Sequence, residues 1–369
     1  MNPPIKLFSL ITIFLYGNSV LLKMIYGSGK DFFISLILAA VLAVITLTVI
    51  MIPFIKYPYM TAGEYILKKT GKYSSKFINS FFLIFALLSI TVIYIEFIKY
   101  LSVVSLNVTP NYMIAIVISL FVLFVSLLGI KNISGFTAYF FIAIIIFIIM
   151  MVAYGISVFK PENVLPIFKT SVAKIIESAF RIFFYILADV ILVIFIVGNE
   201  EQGKKVYKIS LCGIGVWLVT MVTFGYLPLV VFGENFNTFK YPMHQALATF
   251  KNLSFLPKNP FQFTVISFLI LFIKMSVTLC FIQKILENII GRATNSLIKL
   301  CYSAAPIFII TITSSVLLLF GLDDMVFIRH IFAVSAIVCL LTFAILLFRK
   351  FKKKPRITLK EMQNKKGPS

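Results

Sequence analysis

The sequence predicts an all-α integral membrane protein with about ten transmembrane helices. Of its 369 residues, 60% are hydrophobic and 13% are charged, whereas about 25% of the residues in soluble globular domains are charged. Apolar runs of roughly 20 residues, enough to cross about 30 Å of hydrocarbon as a helix, recur along the whole chain. We therefore expect residues 1–348 to form one ten-helix domain, followed by a basic tail at residues 349–369.

The apolar runs fall into five in each half of the chain. They are Leu7–Ile25, Phe32–Ile55, Phe77–Val104, Tyr112–Ile130 and Phe136–Phe159, then Ile176–Val197, Val206–Phe232, Phe261–Ile285, Ile298–Phe320 and Met325–Phe348. Lys6 precedes the first run, but no small-x-small cleavage site follows, so we interpret this run as a retained helix rather than a signal peptide. Ten spans place both termini on one side of the membrane.

Basic residues in short loops predict the orientation, because they resist translocation. The segment after the second run contains Lys56, Lys68, Lys69, Lys72 and Lys76, whereas the segment SLNVTPN at 105–111 contains no basic residue. The tail begins RKFKKKPR. Both termini are therefore predicted to be cytoplasmic, and the connections at 160–175 and 233–260 are predicted to be external.

Composition and motifs argue against several classes of function. The net charge of +21 lies in loops and tail beside apolar runs, which favours anionic phospholipid over nucleic acid as the partner. The four cysteines are isolated from one another and there are two histidines, so the sequence predicts neither a metal site nor a disulfide framework. It also lacks the nucleotide-binding and hydrolase motifs, so we expect a protein that is not an enzyme and has no cofactor.

Ionisable residues inside apolar spans are costly and therefore mark candidate functional sites. Lys274 lies about 20 Å of helical rise from Phe261, so it must find an anionic or carbonyl partner or lose its proton. Asp189 lies near the centre of the sixth run and could cap an interrupted helix, accept a proton or pair with Lys274. Glu96 and Lys99, at i and i+3, are interpreted as a structural pair.

The first run contains the sequence Gly17-Asn18-Ser19 near its middle. Glycine is conformationally permissive, and Asn and Ser side chains compete for backbone hydrogen bonds. These residues are therefore a candidate helix break whose free backbone groups could bind a substrate. The alternative is a notch of small residues that allows close helix packing.

Five segments in a fixed order carry a resemblance to a known family. They are GNSVLL at 17–22, KDFFISLILA at 30–39, TAGEYILKKTGKY at 61–73, PENVLPIF at 161–168 and FIKMSVTL at 272–279. In these segments the chain resembles the spore germination permeases, the B-type subunits of bacterial spore germinant receptors, within the amino acid/polyamine/organocation transporter superfamily. The likeness extends from about Ile5 to Ile290.

The resemblance implies a five-plus-five inverted repeat, with helices one and six discontinuous around a central ligand site. The expected ligand-binding residues are Gly17, Asn18, Ser19, Ala188 and Asp189. Lys274 matches a lysine of helix eight in the family, and it is expected either to replace a bound ion or to carry a proton.

The resemblance also implies a function. The chain is expected to be a receptor subunit in the spore inner membrane that binds a small germinant, such as an amino acid or related metabolite, and signals together with a larger membrane subunit and a lipoprotein. The alternatives are a proton-coupled amino acid or amine permease and a membrane scaffold with a vestigial pocket.

The predicted orientation can be tested by cysteine labelling from outside the cell, in a chain whose native cysteines have been replaced. We expect a membrane-impermeant thiol reagent to modify Asn107→Cys and to leave Lys68→Cys unmodified, because basic loops stay in the cytoplasm. Modification of Lys68→Cys but not of Asn107→Cys would reverse the orientation.

Overall fold

The fold is known from a computed structural model, which describes residues 3–17, 27–165, 167–197, 202–249, 261–291, 295–319 and 326–349. The regular elements in these ranges are helices, as predicted. In chain order the α-helices are α1 (Pro3–Tyr16), α2 (Phe32–Lys56), α3 (Ala62–Thr70), α4 (Lys72–Val104), α5 (Asn111–Ser157), α6 (Pro161–Val164), α7 (Val172–Val193), α8 (Gly203–Phe232), α9 (Pro242–Ala248), α10 (Phe261–Ile289), α11 (Ser296–Leu319) and α12 (Val326–Phe348).

Within the described ranges, seven helical segments are long and apolar enough to cross a membrane, and Pro4–Tyr16 and Ala333–Phe348 are shorter apolar helices. The fourth predicted span and all but the last two residues of the fifth fall within α5, which has 47 residues and is interrupted at Gly129, where φ is 80° and ψ is 163°. The first predicted span is helical to Tyr16, Gly17 forms a turn, and residues 18–26 lie outside the described ranges. That the chain crosses the membrane ten times remains a prediction.

The long helices pack in two groups. In the first group, α2 packs against α7 and α8, and α8 packs against α1. In the second group, α10 packs against α4 and α5, and α11 packs against α5. Because α1 also packs against α5 and α10, it lies along the boundary between the two groups.

A short helix joins α2 to α4 at one end of the molecule. The start of α3 is fixed by a capping box, in which the Thr61 side chain accepts from the Glu64 amide and the Glu64 carboxylate accepts from the Thr61 amide, so that orphan donors of the first turn are satisfied. Gly71, with φ of 86°, separates α3 from α4. A residue with a side chain would be strained in this conformation.

At the other end of α2, a buried carboxylate holds the connection between α6 and α7. Asp31 accepts from the backbone amides of Phe168 at 2.6 Å and Thr170 at 2.9 Å. Asn163 donates to the carbonyl of Val230 at 2.6 Å. The segments KDFFISLILA and PENVLPIF, which lie far apart in the sequence, therefore contribute to one structural junction before α7.

Candidate functional site

The candidate site is centred on Lys274, in the middle of α10. Its side chain is fully buried, and so is that of Asp189 on α7. The ammonium donates to both carboxylate oxygens, Oδ1 and Oδ2, at 2.7 Å each. The two charged residues that the sequence marked as costly thus neutralise each other, as one of the alternatives for Asp189 predicted.

A third acceptor comes from the end of α1. Lys274 Nζ donates to the backbone carbonyl of Phe14 at 3.0 Å, and it lies 5.0 Å from the centroid of the Phe14 ring. The carbonyls of the last turn of a helix have no intrahelical donor and carry the negative end of the helix dipole. An ammonium has three donors, and this one meets three acceptor atoms, two on α7 and one on α1.

Gly17 makes room for this lysine. A Cβ atom built at Gly17 would overlap the stem of Lys274 at Cδ and would lie 2.8 Å from its Cβ, closer than carbon atoms pack. The role expected for Gly17 was close backbone approach to a ligand. In the structure, the residue that approaches its backbone is Lys274.

The described site residues therefore occupy two neighbouring helix segments around one lysine. Ala188 and Asp189 are fully buried on α7, which remains α-helical to Val193 and continues as a 3₁₀ turn at Ile194–Ile196. Asn18 and Ser19 lie outside the described residues, and their expected ligand contacts remain predictions. Phe14 was not expected; its signal in the sequence was its place in the last turn before the candidate break.

Buried aromatic rings extend from the site towards the end of α10. Phe14 packs edge-on against Phe281 with a centroid distance of 5.5 Å. Phe195 packs against Phe281 at 6.4 Å and against Phe82 at 5.9 Å. This apolar row covers one side of the charged groups with a medium of low polarity, in which electrostatic interactions are stronger than in water.

A second polar contact joins α1 to α8 beside the site. The hydroxyl of Tyr16 lies 2.7 Å from Oγ1 of Thr220, and both residues are buried. Together with the Phe14 carbonyl, this contact fixes the last turn of α1. In the described part of the chain, no group of three His, Cys, Asp or Glu side chains is placed to hold a metal ion.

The steric role of Gly17 predicts the effect of a single methyl group. We expect Gly17→Ala to displace Lys274 from the Phe14 carbonyl and to destabilise the protein by about 1–3 kcal/mol, the usual cost of overpacking. The measurement is the apparent melting temperature of the detergent-solubilised protein. Gly215→Ala is the matched control, because a Cβ there meets nothing within 4 Å. An unchanged melting temperature in Gly17→Ala would contradict this role.

Comparison with known proteins identifies the family. Residues 3–317 match the model of the Spore_permease family, which is described as spore germination protein, whereas a search of curated proteins found no significant match. The matched region includes α1 to α10, most of α11 and the described residues of the Lys274 site. The chain belongs to the spore germination permease family.

Proposed function

We propose that this protein is a permease-like germinant receptor subunit, which binds a small amino acid or related metabolite at the Lys274 site and signals spore germination together with partner subunits. Membership of the family supports a role in germination. The observation that carries the ligand assignment is the ion pair between Lys274 and Asp189, completed by the carbonyl of Phe14.

An ion pair is chemically matched to a zwitterion. The carboxylate of an amino acid can replace Asp189 as the acceptor for Lys274, and its ammonium group can replace Lys274 beside Asp189. The exchange adds no net charge to the buried site, so it avoids the large cost of burying an unpaired ion. A ligand with a single charge would leave one protein charge without a partner.

The same exchange supplies a conformational signal. Lys274 belongs to the second helix group and Asp189 to the first, whereas Phe14 lies on α1 at the boundary between them. A ligand that inserts between these residues replaces a direct link between the groups with a link through itself. If the ligand binds the rearranged packing more tightly, it shifts the equilibrium by its difference in affinity for the two states, and partner subunits would read the new arrangement.

We further propose the ten-span architecture with two inverted repeats, in the spore inner membrane, with both termini in the cytoplasm. The length of α5 supports two crossings: its 47 residues rise about 70 Å, more than twice the roughly 30 Å hydrocarbon thickness. The proposed partners are those that the resemblance implies, a larger membrane subunit and a lipoprotein.

Substitution of Lys274 tests the function. If Lys274 acts as a fixed counter-ion, its positive charge is required. We therefore expect Lys274→Met to abolish germination of spores that carry the variant. Lys274→Arg should retain part of the response, because arginine keeps its charge. Loss of optical density of the spores reports germination, and immunoblots of spore membranes report abundance. Lys299→Met is the control, because this lysine is exposed.

The permease alternative gives a different outcome with the same variants. In proteoliposomes, we expect no accumulation of a tritium-labelled amino-acid mixture under an imposed proton gradient. Accumulation that follows the gradient and is lost in Lys274→Arg would establish a proton-carrying permease instead. A normal germination response in Lys274→Met would remove the residue from both mechanisms.

A further inference from the structure

The corner between α3 and α4 exposes an unusual combination of side chains. Tyr73 is 87% exposed, Phe77 66% and Leu67 46%. Beside them, Lys72 and Lys76 are exposed and Lys68 is half-buried, and none of these lysines forms an ion pair with a described residue. We call the six residues Leu67, Lys68, Lys72, Tyr73, Lys76 and Phe77 the α3–α4 corner.

The local sequence arranges these side chains in rows. Lys72 and Lys76 are four residues apart at the start of α4, and so are Tyr73 and Phe77. Residues at this spacing lie one above the other on a helix, so a basic row runs beside an aromatic row. Residues 62–77 contain four lysines and one acid, and that acid, Glu64, already caps α3.

The length of α4 places the corner at the height of lipid headgroups. Its 33 residues rise about 50 Å, which exceeds the roughly 30 Å of the hydrocarbon layer. At least one end of α4 therefore extends beyond the acyl chains, and its start carries the basic and aromatic side chains that concentrate at that height. Ile84, two turns further along from Phe77, is 53% exposed, so the aromatic row continues into an apolar, lipid-facing surface.

A buried lysine brings more positive charge to the same place. Lys69 donates to the carbonyls of Leu347, at 3.4 Å, and Arg349 at the end of α12, and the hydroxyl of Tyr65 donates to Leu346 at 3.4 Å. Burial and the nearby charge of Lys56 lower the pKa of Lys69. This clamp holds Arg349, the residue that follows α12, beside Lys69 of α3.

We propose that the α3–α4 corner forms a docking surface for the headgroups of anionic phospholipids. The lysines supply charge for the phosphate, and the exposed aromatic rings pack at the boundary between headgroups and acyl chains. Continuity with the lipid-facing row of α4 favours a lipid over the acidic surface of a soluble protein. The orientation predicted from basic residues assigns this surface to the inner leaflet.

The docking surface lies on a helix that packs against α10, the helix that carries Lys274. A Cβ at Gly63 of α3 would overlap the side chain of Asn288 on α10, so α3 lies directly against the helix that carries Lys274. Lipid bound at the corner would therefore stabilise α3, the end of α10 and the end of α12 as one unit. Ligands that bind the folded state alone raise its stability.

The test uses the full-length protein in detergent micelles supplemented with either phosphatidylglycerol or phosphatidylcholine. We expect phosphatidylglycerol to raise the apparent melting temperature by several degrees and phosphatidylcholine to leave it unchanged. In the triple variant Lys68→Gln/Lys72→Gln/Lys76→Gln, we expect the amount of co-purified phosphatidylglycerol to fall about tenfold, since each surface lysine contributes substantially to anionic lipid binding. Added salt should reduce the wild-type effect.

A matched triple variant at the opposite end of α2 controls for net charge. Lys160→Gln/Lys169→Gln/Lys174→Gln removes three exposed lysines and should leave both the stabilisation and the co-purified lipid unchanged. Equal loss of lipid in the two triple variants would show a general charge effect and overturn the docking site. Stabilisation of the wild type by phosphatidylcholine alone would overturn the requirement for an anionic headgroup.

Discussion

The buried contact of Lys274 with Asp189 and the Phe14 carbonyl constrains the rest of the structure. Each charge would be costly alone in the membrane interior, and together they remain costly unless their geometry is good and their hydrogen bonds are complete. The lysine meets both requirements through three acceptor atoms. Three features accommodate it: the last turn of α1 lies beside the lysine, Gly17 leaves room for its side chain, and α7 is regular as far as Asp189.

The position of this contact also connects structure with function. It joins α10 of one helix group to α7 of the other and to α1 at their boundary, so the packing that closes the site is the packing that a zwitterionic ligand would have to rearrange. The aromatic row from Phe14 to Phe82 excludes polar surroundings from one side of the ion pair and strengthens it. In the proposed function, germinant recognition and signalling would therefore use one set of contacts, without proton transport.

Much of the fold and part of the site could be predicted from sequence. The apolar runs predicted the helices, and the cost of intramembrane charge identified Lys274 and Asp189. Their pairing could not be derived, because the two residues are 85 positions apart and a pattern within one helix carries no information on its register with another. The contact with the Phe14 carbonyl could not be predicted either, because every residue has a backbone carbonyl and the identity of the side chain does not reveal its role. The helix α3 was overlooked, although Thr61 and Glu64 have the spacing of a capping box.

The measurement that tests the central claim most directly is a double-mutant cycle on the ion pair. Apparent unfolding free energies would be compared for the wild type, Asp189→Asn, Lys274→Met and the double variant in one detergent. Removing one partner of a buried pair should cost about 3–5 kcal/mol, whereas removing both should cost no more than either single substitution, since no charge is left unpaired. Additive losses in the double variant would contradict the account, because they would show that the two residues act independently.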